Sequence, residues 1–304
     1  GTVVYEFKTG PYFGKDADHS YKAANGFKRF VINWIISSNM RNVSWALDFA
    51  AGRGADIRRF IENGVKQALF IDIDNDALAE LTRRKIQIAS ARPRHRDRKG
   101  SNGTLMHTMH ADLKVNYAVL MHRMSIFGIS PGIIDAGICN FAFHYFCDSV
   151  ENLRNIIKLV NKSLKIGGIF AFTTMSGEKI FELLKDKKRD ASWIAFGDEN
   201  MTTVKYEIKK LYTSTALSSV GQTIAVKLPF ANEFYEEPLC NIDFVIKEFE
   251  LHGFSVELNS SFGKKLDDFK RANRVMFHAL TPADIEYINL HWYVSFRKMK
   301  NLKE

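Results

Sequence analysis

The sequence predicts an α/β fold built on a doubly wound, mainly parallel sheet, and three observations carry that expectation. An apolar run, Ala46 to Phe49, breaks into a turn at Gly52 and Gly54 and then into helical pattern. A second apolar run, Ala68 to Ile71, ends on the acid Asp72. This is the layout of a nucleoside-binding β-α-β unit, in which the acid closing the second strand holds ribose hydroxyls. Strand and helix patterns then alternate through residue 190, as parallel sheets require, before the pattern changes.

Taken in order, residues 1–20 read as irregular and polar-aromatic. Phe27, Phe30, Val31, Trp34 and Ile35 recur at helical spacing and predict an amphipathic helix. The first strand is expected at 44–49, a helix at 53–63 ending before Gly64, and the second strand at 67–73. A helix at 76–91 follows, capped by Asn75 or Asp74, and Pro93 and Gly100 keep the next segment out of regular structure. Strands are expected at 104–111, with Asp112 at its end, and at 133–139. Asp148 with Glu151 three residues on has a capping-box pattern and announces a helix over 149–164 that buries Val150, Leu153, Ile157, Val160 and Leu164. Gly167-Gly168 turns the chain into a strand at 169–174. Beyond the alternating region, residues 201–230 read as inserted β-hairpin material, and a helix at 241–252 ends at Gly253. The apolar runs 274–280 and 288–296 are the candidates to close the sheet antiparallel. There is no internal repeat and no low-complexity segment.

Two glycines after a strand are also ordinary turn chemistry. Asp72 raises the cofactor reading, because it falls where the ribose-binding acid belongs. The turn is not the dinucleotide version: Ile57 stands where GxGxxG has its third glycine, which disfavours an NAD-dependent dehydrogenase. The pattern fits S-adenosylmethionine (SAM), which has no phosphate.

Composition sets the remaining bounds. The chain has 304 residues and the apolar and charged fractions of a soluble globular protein, 46% and 25%. No apolar segment is long enough to cross a bilayer, and the N-terminus lacks a secretory pattern. Opening on Gly1 without a methionine, the chain reads as a domain cut from a longer polypeptide. Cys139, Cys147 and Cys240 are scattered, without metal-ligand spacing, which points to a reducing compartment and to no metal. The net charge of +9 suits solubility or a polyanionic partner. Clustering favours the partner, since Arg83-Arg84-Lys85 leads into Arg92, Arg94, Arg96, Arg98 and Lys99 almost without acids.

A further segment, Asn140-Phe141-Ala142-Phe143-His144-Tyr145, follows the fourth strand, where ligands of such sheets sit. With it, the chain resembles the mRNA cap guanine-N7 methyltransferases, in particular the methyltransferase domains of the fused capping enzymes of large cytoplasmic DNA viruses such as the asfarviruses. The resemblance runs from about Asn25 to Phe296. Asn25-Gly26-Phe27-Lys28 is similar to the family's Asn-x-x-Lys. The stretch Asp48 to Asp56 is similar to its Asp-Leu-Gly-Cys-Gly-Lys-Gly-Gly-Asp, Asn140 to Tyr145 to its Gln-Phe-x-x-His-Tyr, and Gly168 to Thr174 to its Gly-Gly-x-Phe-x-x-Thr-Thr. Ala50 and Ala51 depart from Gly-Cys, and Asn140 shortens a glutamine.

The resemblance implies a Rossmann-like class I SAM-dependent methyltransferase with a seven-stranded sheet and an inserted β-rich cap-binding segment. One methyltransferase domain would fill 1–304: an N-terminal arm and helix to residue 40, a SAM-binding core over 41–190, and an inserted and sheet-completing part over 191–304. By residue-by-residue carry-over, SAM would be held by Lys28, Asp48, Ala50, Gly52, Asp56, Asp72, Asp112, Asn140 and Tyr145. The cap would meet Asn25, Phe141, His144, a late aromatic at His291 or Tyr293, and a glutamate at Glu237, with Glu236 the alternative. Arg53, Arg59 and Arg84 would face the cap phosphates, although Arg53, Arg58 and Arg59 also read as an exposed helix face. The same resemblance implies capped RNA as substrate, fusion to or association with RNA triphosphatase and guanylyltransferase domains, and a cytoplasmic location, in a viral factory or virion.

The residue types suit that chemistry. Guanine N7 carries a lone pair at neutral pH, so methyl transfer needs alignment and no general base. His144 then reads as a hydrogen-bond partner of the guanine, and a carboxylate with an aromatic face, Glu237 with Tyr145 or Phe143, would stabilise the ring as it becomes cationic. The 92–99 loop is expected to track the following RNA. Two other readings stand: a SAM-dependent methyltransferase for another substrate, and an inactive RNA-binding or stimulatory subunit of the same fold. Asn140-Phe141-Ala142-Phe143 in place of Asn/Asp-Pro-Pro-Tyr/Phe argues against methylation of an exocyclic amino group.

Overall fold

The computed structural model describes residues 21–90, 103–229, 231 and 233–302. The N-terminal segment and the basic 92–99 loop therefore lie outside the described residues. The chain runs through α1 (Lys22–Asn39), β1 (Trp45–Phe49), α2 (Ile57–Glu62), β2 (Gln67–Asp72), α3 (Asn75–Ser90), β3 (Leu105–His110), α4 (Tyr117–Ser125), β4 (Ile134–Asn140), α5 (Val150–Ser163), β5 (Leu164–Met175) and α6 (Gly177–Leu183). It continues through β6 (Ser192–Phe196), β7 (Val204–Lys210), β8 (Thr223–Lys227), β9 (Tyr235–Pro238), α7 (Ile242–Leu251) and β10 (Phe254–Ser261). The last elements are α8 (Leu266–Ala272), α9 (Arg274–His278), α10 (Pro282–Ile288) and β11 (His291–Lys298).

The main sheet has seven strands in the order β10-β11-β5-β4-β1-β2-β3. Strands β1 to β5 pair in parallel, and β11 runs antiparallel to both β5 and β10. The chain winds outward from β1 to β3, then returns to lay β4 on the other side of β1. That reversal opens a crevice at the carboxyl ends of β1 and β4, where such sheets bind ligands.

Helix α1 buries Phe27, Val31 and Ile35, with Phe30 and Trp34 half-buried, as the spacing requires. Lys28 lies on the buried face too. Four antiparallel strands, β6-β7-β8-β9, form a second sheet, larger than the expected hairpin.

Five local expectations are corrected. Helix α2 begins only at Ile57, because Ala50, Gly52 and Gly54 all have positive φ and hold the preceding residues in a turn. Helix α4 occupies the stretch between Asp112 and Ile133, where no element is expected; its N-cap is Asn116, whose side chain accepts from Ala118 N. The cap of α5 is Ser149, which accepts from Asn152 N, while Asp148 bonds the Asn152 and Lys114 side chains. Strand β5 starts at Leu164 and passes through Gly167 (φ 80°), so the glycine pair lies within it. Finally, 274–280 holds α9 and the start of a turn, and the strand that closes the edge with β11 is β10. An apolar run of that length does not distinguish strand from helix by periodicity.

Candidate active site

The turn after β1 is stitched to the end of β2. Gly52 N donates to Asp72 Oδ2 at 2.7 Å, and Asp74 N to Asp72 Oδ1 at 2.8 Å. Each carboxylate oxygen accepts one main-chain N–H and retains a lone pair for a hydroxyl. Gly54 is needed for packing as well as conformation: a Cβ there would meet Ile57 Cδ1 at 2.6 Å and Leu81 Cγ at 2.7 Å. Ile57, where the dinucleotide fingerprint has glycine, is itself core.

Three carboxylates share this corner. Burial holds the Asp48 carboxyl well above its ordinary pKa, reinforced by Asp56 and Asp72 and opposed by Arg59. Burial also raises Asp72, outweighing its backbone N–H donors. Asp56 is paired with Arg59 and accepts from Asn140 Nδ2 at 2.8 Å. Asn140 Oδ1 in turn accepts from Thr173 Oγ1 at 3.2 Å. Asn140 thus ties the glycine turn to β5.

Just beyond it, Phe141 has φ 55°, an uncommon conformation for a side chain of this size. Its N–H is held by Thr173, whose carbonyl accepts at 2.9 Å and hydroxyl at 3.1 Å. Phe141 lies beneath the Lys28 ammonium, 4.2 Å from Nζ to ring centre. Lys28 Nζ also donates to Tyr21 Oη at 3.1 Å, and among the described residues no carboxylate pairs with it. A buried ammonium so placed fits an anionic ligand group such as a methionine carboxylate.

A 3-10 turn over Phe143–Phe146 presents the next residues. Phe143 is fully buried and stacks on Phe172 at 4.1 Å, so it anchors the turn; of the two aromatics expected beside a base, it is Tyr145 that reaches the surface, 40% exposed. His144 points inward. Its Nδ1 is 3.3 Å from Thr174 Oγ1, and its buried Nε2 has no hydrogen-bond partner among the described residues. Glu237 Oε2 lies 3.7 Å from that nitrogen, delivered by β9 of the second sheet, while Glu236 is exposed. Burial lowers the His144 pKa, and Glu237 only partly opposes it.

Of the two late alternatives, His291 is the one that joins this group. It is edge-on to Phe141 at 5.9 Å and to Tyr287 at 4.7 Å. Burial and the Lys28 charge, with His144 adding to them, hold its pKa well below the ordinary value. Tyr293, two residues further along β11, packs edge-on against Trp34 at 5.4 Å instead.

The arginines divide. Arg59 is buried, and its Nε and Nη1 donate to Asn33 Oδ1, Ala55 O and Asp56 Oδ1, which turns it inward and corrects the exposed-face and phosphate readings alike. Arg84 pairs with Glu80 at 3.0 Å on the surface of α3. Arg53 sits half-buried within the glycine turn, Asn25 half-buried on α1, and Asp112 just past β3, accepting from Lys114 N.

Sequence reasoning missed Tyr287, which lies against both Lys28 and His291, and Tyr206 and Asp284 behind it. One signal was available. Thr281-Pro282-Ala283-Asp284 is a helix start, with a capping box and proline in the first turn.

The family model for the mRNA (guanine-N(7))-methyltransferase domain matches residues 21–228. The chain belongs to that family. An African swine fever virus mRNA-capping enzyme is 32% identical over 292 residues, covering 95% of this chain and 33% of that protein. This methyltransferase chain therefore spans about a third of the length of the viral capping enzymes it matches. The mRNA cap guanine-N(7) methyltransferase of Eremothecium gossypii is 23% identical over 263 residues, covering 78% of this chain and 53% of that one. Among solved structures, a SAM-dependent methyltransferase from Listeria monocytogenes superposes with a TM-score of 0.56 at 16% identity, over 92% of this chain and 99% of that one, a likeness of fold. SAM is the cofactor of this class, and Asp72, Gly52 and Lys28 fit it as described. No helix among the described residues is long and apolar enough to cross a membrane.

Proposed function

We propose that this methyltransferase domain transfers a methyl group from SAM to N7 of the capping guanosine of mRNA, converting GpppN-RNA to m7GpppN-RNA. The observation that carries the reading is the buried His144 Nε2, without a hydrogen-bond partner among the described residues, beside a buried Glu237 carboxylate. Buried polar atoms are rarely left without a protein, water or ligand partner, and here a base edge would supply one. When bound, SAM supplies an electrophilic methyl carbon on a sulfonium. The chain's residues do the rest by position: Lys28 binds the methionine carboxylate, Asp72 the ribose, Asp48, Asp56, Ala50, Gly52 and Asn140 shape the turn, and Asp112 borders the adenine.

Methylation at N7 turns guanine cationic, so the charges around it matter. His144 and His291 are both kept neutral by burial and add no positive charge beside the ring. Glu237 provides a negative one, stronger in effect as charge develops, and Tyr145 and Phe141 offer aromatic faces. No group in this reading abstracts a proton. Arg53 and Arg84 serve the triphosphate, and the 92–99 segment the RNA chain. Residues 1–304 act as one methyltransferase domain of a longer cytoplasmic capping protein that also carries triphosphatase and guanylyltransferase domains.

Radiolabelled SAM with GpppA-capped and uncapped RNA tests the reading. Label is expected on capped RNA alone, at N7 of the terminal guanosine. Label on uncapped RNA, or none on either, would overturn it.

A further inference from the structure

Two of the residues grouped around the base site, Glu237 and His291, come from different parts of the fold. Glu237 is on β9 of the second sheet, and His291 opens β11 of the main sheet. Something must fix the distance between them. Helix α10 runs into β11, and its first turn carries Asp284, which has no exposed surface. Besides closing the capping box with Thr281, the Asp284 carboxylate accepts from Tyr206 Oη at 2.6 Å and from the buried Lys205 Nζ at 2.9 Å, both on β7 of the second sheet. The Tyr206 ring then stacks on Tyr287 at 4.1 Å, with planes 8° apart. The Tyr287 carbonyl is 2.9 Å from His291 Nδ1. A carbonyl only accepts, so Nδ1 carries the hydrogen and the neutral ring presents Nε2 as an acceptor.

We infer that Asp284 is a positioning residue for base recognition: through Lys205 and Tyr206 it locks α10 to the second sheet and so sets His291 against Glu237. The inference rests on the base-site reading above. A buried ion pair is a poor device for stability, since well-packed apolar residues often serve as well or better. Its use here is register, because both charges must meet for two sheets to close on one ligand. Base alignment is sensitive to such register, where an error of about 1 Å can cost on the order of a hundredfold in rate.

The test replaces the pair with apolar side chains, Lys205→Met with Asp284→Leu, which is expected to keep the core folded. Tyr206→Phe, which keeps the ring stack and loses only the hydroxyl bond to Asp284, serves as a milder second variant. KM for GpppA-capped RNA should rise about tenfold or more in the pair variant and less in Tyr206→Phe, with SAM affinity by calorimetry unchanged. Discrimination between guanosine and inosine caps, which differ in the 2-amino group, should shrink in both. A folded variant with wild-type KM and wild-type discrimination overturns the inference, as does SAM affinity falling in step with cap affinity. Glu237→Gln runs alongside. If it impairs methylation and the pair variant does not, the positioning role alone fails; if it too is silent, the base-site reading fails.

Discussion

His144 Nε2 and Glu237 Oε2 face each other at 3.7 Å, across the junction of the main sheet and the second sheet, with both side chains buried. The gap is too long for a hydrogen bond, and a base edge placed at it would meet a nitrogen and a carboxylate together. Glu237→Gln keeps the shape and removes the charge, and should slow single-turnover methylation of capped RNA by roughly 10²- to 10³-fold with SAM affinity retained. His144→Ala should weaken cap binding. A steep wild-type rise in rate with a pKa below the ordinary histidine value, abolished in His144→Ala, would sink the base-free reaction.

Ala50 has φ 65° in the turn after β1, a conformation that favours glycine. A Cβ in this conformation costs about 1–2 kcal/mol, part of which glycine gives back through the flexibility of the unfolded chain. Ala50→Gly should therefore leave stability level or raise it by up to ~1 kcal/mol and retain SAM binding. Ala50→Val should lower both, since a β-branched side chain is least tolerant of positive φ. Melting and calorimetry decide; if wild type itself binds no SAM, the turn belongs to an inactive relative.

Arg59 and Arg53 should behave oppositely. Arg59→Met leaves Asp56 buried without its cation and should cost about 3–5 kcal/mol in urea unfolding. Arg53→Ala should leave stability nearly unchanged and reduce the salt slope of capped-RNA binding by about 0.7. Wild-type stability in Arg59→Met, together with lost RNA affinity, would restore Arg59 to the phosphates.

The buried histidines also predict an acid-side loss of stability. The folded pKa of His291 lies well below the ~6.5 of an unfolded histidine, so on acidification the unfolded chain takes up its proton first. Its contribution is fully present above about pH 6.5 and is lost as pH falls towards the folded value, at up to ~1.4 kcal/mol per pH unit. His291→Gln should unfold in urea with a shallower pH dependence than wild type between about pH 7.5 and about pH 5. The raised Asp48 and Asp72 act with opposite sign in both proteins and cancel in the difference. Parallel curves would show that His291 is not buried neutral.

Much of this protein was set by the sequence alone. Strand, glycine turn and acid-ended strand are local patterns, so the order of the core elements and the roles open to Gly52 and Asp72 could be read without coordinates, while Lys28 was a candidate through the family resemblance alone. Asn140 and His144 could likewise be placed at the end of β4, with their roles supplied by the resemblance. Tertiary structure decided what depends on partners distant in the chain. Whether Arg59 meets phosphate or Asp56 is a matter of which way a helix turns. Glu237 rather than Glu236 faces His144 because alternate residues of β9 point to opposite sides of the second sheet. His291 rather than Tyr293 meets Phe141 because of where β11 enters the main sheet. Contacts of that kind arise from register and packing between sheets, and no periodicity along the chain encodes them.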